Sequence, residues 1–472
     1  MATNTTAGGQ DPNPGRRFAR WRRFASAHPV LSNIGILATG TAAGQAIAIA
    51  VSVVTARLFT PEAFGEFALF SSIAGIFAVI ATLRYDLAIV LPESDDEARQ
   101  LARLATRANL VVSLTATLLA FLYRDTVAEI WSSPTLATWL PLVGLSVFCA
   151  AQISIWQYWF NRKRQYRVIA LNRFTQSVGT SGGQLGFGLG GMRFFLGLLC
   201  GSFIGLVWAL FNLGRQSGEL RRRPGTDAPT IRQAARRHRK MPLLNLPNAL
   251  VDAVRTNGIQ MLIGVIALNA LGQFNLAWRV LQAPIALLNG AIAQVFLERM
   301  SRAKRGELTE LVRAVIKRAV LFAIPPFALL WLLAPWLIPL VFGSQWVKAG
   351  LITRALVPWL AMNLVTSPIS NVFVVTSRQL WVLLHAIVFT VIPLAWLFFS
   401  PLEFLETLQV LSLMMALMLG LLLVLADMAA RAYDHEVPSR EASETPGSAP
   451  DTNQENGADT VETKPEIEGG TS

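Results

Sequence analysis

The chain has 472 residues, of which 53% are hydrophobic and only 15% are charged. Ordinary soluble domains carry roughly 25% charged residues. Apolar runs of about 20 residues, the length that crosses a bilayer as a helix, recur along most of this sequence. The composition therefore excludes an ordinary soluble domain and predicts a polytopic membrane protein.

The N-terminal segment is basic, and the apolar run after it lacks a short core with a small-residue cleavage site. We interpret this run as an uncleaved first span. An Arg-rich start is also typical of transit peptides, so that alternative stays open. The two cysteines, Cys149 and Cys200, lie in apolar runs and indicate neither a disulfide framework nor a zinc site.

Hydropathy predicts six spans, a polar stretch, and six further spans, each near the length that a transmembrane helix needs. The predicted spans cover approximately residues 33–55, 65–83, 105–123, 137–159, 169–190, 193–213, 243–267, 271–296, 316–342, 351–375, 380–400 and 404–427. Pro284 and the pair Pro325 and Pro326 lie inside spans, where they predict kinks.

Basic residues gather in alternate loops, whereas the loops between them hold little beyond Arg57, Arg124, Arg193 and Lys348. By the positive-inside rule both termini are cytoplasmic, which requires an even number of spans. The 41 Lys and Arg residues exceed the 29 Asp and Glu residues, giving a net charge of +12. Loop alternation accounts for most of that excess, so we expect no nucleic-acid partner.

These patterns predict an all-α fold with about twelve transmembrane helices in two six-helix bundles around a central cavity. The predicted regions are a basic cytoplasmic N-terminal segment (1–30), an N-lobe of helices 1–6 (31–213), a basic cytoplasmic linker (214–242), a C-lobe of helices 7–12 (243–430) and a disordered acidic tail (431–472). A local match between residues 64–70 and 271–277, which open the second and eighth spans, supports a parallel duplication.

Polar side chains form stripes on four of the predicted spans, two in each half. The stripes consist of Thr41, Gln45, Ser52 and Thr55; Arg173, Gln176, Thr180 and Gln184; Asn245, Asn248, Asp252 and Arg255; and Asn275, Arg279 and Gln282. Intramembrane polar groups face a bundle interior or a watered cavity, so the stripes predict a cavity between the lobes. Asp252 and Arg255 are three residues apart and could instead form a structural pair.

No catalytic motif occurs in the sequence. A nucleotide-binding Gly-rich loop, an HExxH motif and a serine elbow are all missing. We therefore expect neither enzymatic activity, nor a cofactor, nor a metal site. His385, alone in an apolar span, is interpreted as a packing histidine rather than a proton carrier.

Several segments resemble the polysaccharide-transporter (Wzx-like) flippases in order and spacing. They are Thr55 to Gly65, Ala81 to Ile89, Leu91-Pro92, Trp159 to Arg162, Gln294 to Phe296, Phe342 to Gly350 and Ser367 to Phe373. The resemblance covers about residues 30 to 430 and implies the multidrug, oligosaccharidyl-lipid and polysaccharide exporter superfamily, whose members alternate access around a central cavity.

The implied substrate is an undecaprenyl-diphosphate-linked oligosaccharide, moved across the bacterial inner membrane for O-antigen, capsule or exopolysaccharide synthesis. Arginine suits such a substrate because its planar guanidinium contacts phosphate oxygens in a bidentate manner. The predicted substrate-binding residues are Arg255, Arg279, Asn248, Gln282 and Gln45, with Arg57 and Arg84 near the cavity mouths and Asp252 as a candidate for ion coupling.

The implied partners are the lipid-linked oligosaccharide, membrane lipids, and a polysaccharide polymerase with its chain-length machinery. A cation-coupled drug exporter of the same superfamily is an alternative, although the spans of the predicted N-lobe hold few of the acidic residues that it should show. A membrane glycan polymerase or ligase is a second alternative, weakened by short outer loops.

Overall fold

The computed structural model describes residues 29–222, 225, 229–282, 285, 306–369, 372–376 and 378–435. These residues contain helices and no strands. Each predicted span coincides with a long helix: α1 (Pro29–Leu58), α2 (Pro61–Ala81), α3 (Asp95–Leu122), α4 (Leu142–Arg162), α5 (Tyr166–Leu189), α6 (Phe195–Gln216), α7 (Leu246–Ile266), α8 (described over 268–282), α9 (Leu308–Phe342), α10 (Val347–Thr366), α11 (Gln379–Phe399) and α12 (Phe404–His435).

Within the described residues, nine helices are long and apolar enough to cross a membrane, and Ala43–Leu58 of α1 adds a shorter apolar segment. α5 falls outside that set because its polar stripe lowers its hydropathy, and α8 continues toward residues that the structure does not describe. The chain is an all-α, multi-pass membrane protein, as predicted.

Local signals fix the starts of the helices. Thr60 caps α2 by accepting a hydrogen bond from the backbone N–H of Ala63, and Pro61 occupies the first turn. Ser94 caps α3 in the same way, and three acidic residues in the first turn oppose the positive end of the helix dipole. Short helices complete the connections: Tyr85–Ala88, Arg124–Trp131, Pro134–Trp139, Gly218–Arg221, Ile231–Arg237 and Val372–Val375.

Four predicted boundaries are corrected. α3 begins at Asp95, before its predicted start at residue 105, and α10 ends at Thr366, before its predicted end at residue 375. α9 begins at Leu308, eight residues before the predicted start, and its internal prolines lie within one continuous helix. α12 runs to His435, so residues 431–435 are helical rather than part of a disordered tail. Arg431 pairs with Asp427 one turn earlier at 2.6 Å, which supports this last turn. Residues 1–28 and 436–472 lie outside the described residues.

Small residues set the helix spacing within each half of the chain. Gly183 of α5 lies against Gly201 of α6, where a Cβ on Gly183 would come within 2.9 Å of the Gly201 Cα. A Cβ on the neighbouring Gly182 would meet nothing within 4 Å. The close packing of α5 against α6 is therefore made by Gly183 rather than Gly182. In the second half, His385 Nε2 lies 2.9 Å from the Met418 carbonyl oxygen, so this histidine has a hydrogen-bond partner on α12.

The two halves of the chain, α1–α6 and α7–α12, meet at the ends of helices formed by residues 56–65, 268–273 and 340–349, which we term the closed end. Gly65 and Gly272 are the fifth residues of α2 and α8, and they face each other. A Cβ on Gly65 would lie 2.0 Å from the Leu268 carbonyl oxygen, and one on Gly272 would lie 1.8 Å from the Pro61 carbonyl oxygen. The contact is therefore backbone against backbone.

Side chains extend this contact between equivalent positions. Asn269, the second residue of α8, donates to the carboxylate of Glu62, the second residue of α2. An interface in which each residue contacts its own equivalent is expected where two units are related by an approximate two-fold axis. Equivalent positions of the predicted repeat thus meet at the closed end, and the duplication itself stays a prediction.

The remaining bonds at the closed end join α1 to the α9–α10 connection. Gln345 donates to the carbonyl oxygens of Ala56 and Phe59 at 2.5 and 3.3 Å, and the Trp346 indole donates to Ala56 at 2.7 Å. The Trp346 ring also meets Phe64 edge to face at 5.2 Å. Within the described residues, the hydrogen bonds that join the two halves all lie near this end.

The opposite end, which we term the basic end, comprises residues 84–107, 159–167 and 215–240. Arg162 donates to the Asp95 carboxylate at 3.0 Å and to the carbonyl oxygens of Ile89, Pro92 and Glu93. The chain between α6 and α7 packs on α3 as well, because Arg237 and His238 both contact Glu97 at 3.2 Å. The contacts at the basic end thus tie the loops and the linker to the first half.

Candidate functional site

A cavity of about 170 Å³ lies between α7, α8 and α10 in the second half, and we term it the aromatic cavity. Its lining residues are Arg255, Thr256, Ile259, Gln260, Phe274, Trp278, Gln282, Trp359 and Asn363. At about 3.6 residues per turn, Arg255 and Trp359 lie about two turns or more from the ends of helices that are long and apolar enough to cross a membrane. The cavity is therefore at membrane depth.

Three aromatic rings form one side of the aromatic cavity. Phe274 and Trp278, one turn apart on α8, are stacked with ring centroids 5.8 Å apart and an interplanar angle of 16°. Trp278 meets Trp359 of α10 at 4.7 Å and 46°. The spacing of four residues places both α8 rings on one helical face, and that face meets α10.

Arg255 supplies the charge at this cavity. Its guanidinium pairs with the Asp252 carboxylate and lies over the Phe389 ring, 4.7 Å from the centroid. The Arg255 side chain is 17% exposed, whereas that of Asp252 is 68% exposed. The sequence left open whether these residues are partners or separate site groups, and the structure shows the pair.

Arg279, on the same helix as Trp278, is half-buried and is not among the residues that line the aromatic cavity. Within the described residues, its guanidinium has neither a hydrogen bond nor an acidic partner. A cation at membrane depth without a counterion is costly. The predicted contact of Arg279 with the diphosphate stays a prediction.

The other predicted residues of α1 and α7 lie elsewhere. Asn248 and Asp252 are exposed on the part of α7 nearer the basic end. Gln45 is half-buried on α1, beside Gly44, whose carbonyl accepts a hydrogen bond from Ser177 of α5 at 2.7 Å. The structure brings Arg255 and Gln282 together in one cavity and places Asn248 and Gln45 outside it.

A second cavity, of about 260 Å³, lies between α4 and α5 in the first half. It is lined by Ser154, Gln157, Tyr158, Asn161, Ile169 and Arg173. Arg173 donates to the Gln157 side-chain oxygen at 3.4 Å. The polar stripe of α5 therefore does not act as a unit, since Gln184, further along, is buried and donates to Ser202 of α6 at 3.2 Å.

Arg84 and Asp86 lie beside this second cavity. Asp86 is buried and accepts hydrogen bonds from Thr82 at 2.8 Å and from the cavity residue Ser154 at 3.0 Å. Arg84 adopts a left-handed backbone conformation with φ of 61°, and its Nε is buried without a partner among the described residues. Arg84 lies at the basic end, and its predicted role at a cavity mouth stays a prediction.

Arg57 belongs to the closed end. Its guanidinium donates to the carbonyl oxygens of Leu340 and Val341, at 3.2 and 2.8 Å, at the C-terminal end of α9. Such carbonyls have no partner within their own helix, so Arg57 caps α9 from the other half of the molecule. Its predicted role at a cavity mouth stays a prediction.

Sequence reasoning missed Gln260, Trp278, Trp359 and Asn363. These residues lie at unremarkable positions of apolar spans, and only the packing of α7, α8 and α10 unites them. Within the described part of the chain, no group of three or more His, Cys, Asp and Glu side chains could hold a metal ion.

The fold is shared with transporters of known structure. A lipid II flippase, MurJ, in an inward closed conformation aligns with a TM-score of 0.69 at 14% identity, covering 83% of this chain and 87% of that one. An inward-facing multidrug resistance MATE family transporter of the MOP superfamily aligns at 0.58 and 14% identity over 85% and 95% of the two chains. A MOP superfamily transporter from Pyrococcus furiosus aligns at 0.54 and 15% identity over 85% and 96%. The chain is thus a multi-pass membrane protein that shares the fold of these transporters.

The sequence itself gives the family. Residues 54–350 match the family described as polysaccharide biosynthesis protein, and the chain belongs to that family. No curated protein matches the chain by sequence.

Proposed function

We propose that this protein is a flippase that moves an undecaprenyl-diphosphate-linked oligosaccharide from the cytoplasmic to the periplasmic leaflet of the bacterial inner membrane. The family supports a role in polysaccharide biosynthesis, and the fold is that of transporters. The observation that carries the proposal is Arg255, a guanidinium at membrane depth in a cavity whose other lining residues are mostly aromatic and amide side chains.

A diphosphate cannot cross the hydrocarbon core unless protein groups replace its water. Arg255 can replace part of that water. Its present partner, the Asp252 carboxylate, is largely exposed, so the diphosphate can displace the carboxylate from the guanidinium. Binding of the diphosphate would release the Asp252 carboxylate, which could then take up a proton or a cation. Asp252 thereby remains the candidate for coupling, and Arg279 offers a second cation on the neighbouring helix.

The orientation follows from the charge of the two ends. The basic end faces the cytoplasm under the positive-inside rule, and the closed end then faces the periplasm. In this conformation the substrate would enter from the cytoplasmic side. The reaction is translocation without covalent chemistry, and the polymerase and chain-length machinery would act on its product.

The test compares two arginines of the second half. Arg255→Gln should lower surface polysaccharide at least tenfold per inserted protein, because one charge-assisted contact to phosphate is worth about 1.4 kcal/mol or more. The control is Arg354→Gln. Arg354 is exposed on α10 and lies over the Trp331 ring at 3.9 Å, outside the aromatic cavity, so its replacement should change export less than twofold.

The same assay should show the undecaprenyl-diphosphate-linked glycan accumulating in cells that carry Arg255→Gln. Normal export by this variant at wild-type abundance would contradict the assignment of Arg255. An unchanged pool of lipid-linked glycan after deletion of the whole gene would contradict the function itself.

A further inference from the structure

A third cavity, of about 300 Å³, lies in the first half where α3 and α4 meet the start of the linker, and we term it the arginine groove. α2 contacts α7 of the second half as well as α3, α4 and α6. It therefore stands between these three helices and the second half, and the groove lies on the outer side of the first half. The lining residues of the groove are Ala102, Arg103, Thr106, Arg107, Ile155, Trp156, Ser217 and Leu220.

The arginine groove carries positive charge that its own walls do not neutralise. Arg103 and Arg107 lie one turn apart on α3, and Arg103 donates to the Arg222 carbonyl oxygen of the linker at 2.8 Å. Within the described residues, Arg107 makes neither a hydrogen bond nor an ion pair. None of the described lining residues is acidic, and Glu219, next to Leu220, pairs instead with Lys163 at 3.4 Å. The groove therefore suits an anion.

The groove lies at the edge of the membrane. At about 1.5 Å per residue, Arg103 and Arg107 are about 29 and 23 Å from the other end of α3 at Leu122. The hydrocarbon core is about 30 Å thick, so the two arginines are near its boundary on the side of the basic end. α6 ends at Gln216, immediately before the lining residue Ser217. This is the depth of lipid phosphates.

Exposed apolar side chains of α3 continue from the groove toward the membrane centre. Leu110 and Leu114 follow Arg107 at three and seven residues, so they share its helical face, and they are 49% and 62% exposed. In a helix long and apolar enough to cross the membrane, such side chains contact acyl chains.

α6 presents a matching apolar flank. Val207 and Phe211, 56% and 54% exposed, precede Gly214 at seven and three residues and share its face. A Cβ on Gly214 would lie 3.2 Å from the Trp156 ring, which lines the groove. Trp is enriched at the level of lipid headgroups. Cations near the membrane boundary with apolar flanks beneath them fit a molecule that has both a phosphate and acyl chains.

We propose that the arginine groove binds one anionic phospholipid of the phosphatidylglycerol type, with its phosphate on Arg103 and Arg107 and its acyl chains along the exposed faces of α3 and α6. Basic pockets between transmembrane helices on the cytoplasmic side are typical sites for anionic headgroups. A phosphatidylethanolamine headgroup is disfavoured, because its ammonium group would lie beside two arginines with no carboxylate among the described lining residues. The lipid is retained in the groove rather than transported, so the inference is independent of the proposed substrate.

The experiment titrates the full-length protein, purified in detergent, with dioleoylphosphatidylglycerol or dioleoylphosphatidylethanolamine and counts bound lipids by native mass spectrometry. The wild-type protein should bind its first phosphatidylglycerol at least tenfold more tightly than phosphatidylethanolamine. Arg103→Gln combined with Arg107→Gln should weaken phosphatidylglycerol binding at least tenfold and change phosphatidylethanolamine binding less than twofold.

Arg236→Gln combined with Arg239→Gln is the matched control. It removes the same charge from the same end of the molecule, at two exposed linker residues that do not line the groove, and should change the affinity for phosphatidylglycerol less than twofold. Arg107→Gln alone breaks no described contact, so it should fold normally and weaken phosphatidylglycerol about threefold or more. Melting temperatures report whether each variant is folded.

The lipid site is overturned if the wild-type protein binds both phospholipids equally, or if the two double variants weaken phosphatidylglycerol to the same extent. Displacement of phosphatidylglycerol by an equal concentration of glycerol 1-phosphate would show a site for free phosphate and contradict the proposal. Displacement by undecaprenyl diphosphate at equal concentration would assign the groove to the transported lipid and contradict it as well. None of these outcomes alters the tests of Arg255, so the proposed function is judged separately.

Discussion

The closed end and the basic end are held by different kinds of contact. At the closed end the two halves meet through the backbones of Gly65 and Gly272 and through side chains that donate to backbone carbonyls. At the basic end, charged side chains such as Arg162 and Glu97 bind loops and the linker to the first half alone. The closed end therefore joins the two halves, whereas the contacts of the basic end hold together parts of the first half and the linker.

This difference indicates what can move. Under the proposed function, alternating access requires the contact between the halves to break and reform. The charged side chains in that contact, Arg57 and Glu62, are exposed, so water can replace their partners when it breaks. The ion pairs of the basic end need not break, because their partners belong to the same half. We therefore expect the closed end to be the gate and the basic end to move with the first half as a rigid unit.

The largest expected effect concerns which end faces the cytoplasm. In a background carrying Cys149→Ala and Cys200→Ala, Lys348→Cys at the exposed closed end should react in whole cells with a membrane-impermeant thiol reagent. Arg222→Cys at the exposed basic end should react only after the cells are opened. The positive-inside rule gives this orientation, and labelling of both positions in whole cells would reject it.

The second prediction tests the glycine contact of the closed end. In an ordinary helix, replacing Gly by Ala stabilises by about 1 kcal/mol. Gly272→Ala should instead destabilise the closed state by about 1 to 3 kcal/mol, as overpacked sites do, because its Cβ would lie 1.8 Å from the Pro61 carbonyl oxygen. The measurement is the thermal midpoint in detergent, together with surface polysaccharide per inserted protein.

Gly186→Ala is the matched control for this change, since a Cβ at Gly186 would meet nothing within 4 Å. It should leave export unchanged and raise the midpoint slightly. If Gly272→Ala behaves like Gly186→Ala, the two halves are not held by close backbone contact.

The smallest expected effect on export comes from the basic end. Arg162→Gln removes the bond to Asp95 and three bonds to loop carbonyls from a side chain that is 11% exposed. Unfolding should become easier by about 2 to 4 kcal/mol, typical of a broken, mostly buried network, whereas export per folded protein should stay within about twofold of wild type.

Arg124→Gln provides the comparison, because its partner Asp125 is at 3.5 Å and both side chains are exposed. An exposed pair of this kind contributes about 0.2 to 1 kcal/mol at most. Should Arg162→Gln abolish export in protein of normal stability, the basic end takes part in the transport cycle and the contrast between the two ends is wrong.

The sequence by itself determined the membrane class and the positions of the twelve helices to within about five residues, apart from the starts of α3 and α9, the ends of α10 and α12, and the part of α8 outside the described residues. This was feasible because a membrane helix satisfies its backbone hydrogen bonds within its own segment. Length and apolarity therefore suffice to predict it. The stripe on α7 also placed Asp252 and Arg255 three residues apart. Side chains at that spacing are neighbours on a helix surface, so their pairing could be predicted from the sequence.

Only the tertiary structure decided which polar groups share a site. A stripe identifies one face of a helix, but the partner of that face depends on how the helices are rotated and packed. Hence Arg255 and Gln282 meet Trp359 and Asn363 from a distant helix, while Gln45 and Asn248 lie outside the cavity. Arg57 likewise caps α9, more than 280 positions away, because contacts between distant segments are set by packing geometry and leave no periodic signal in the chain.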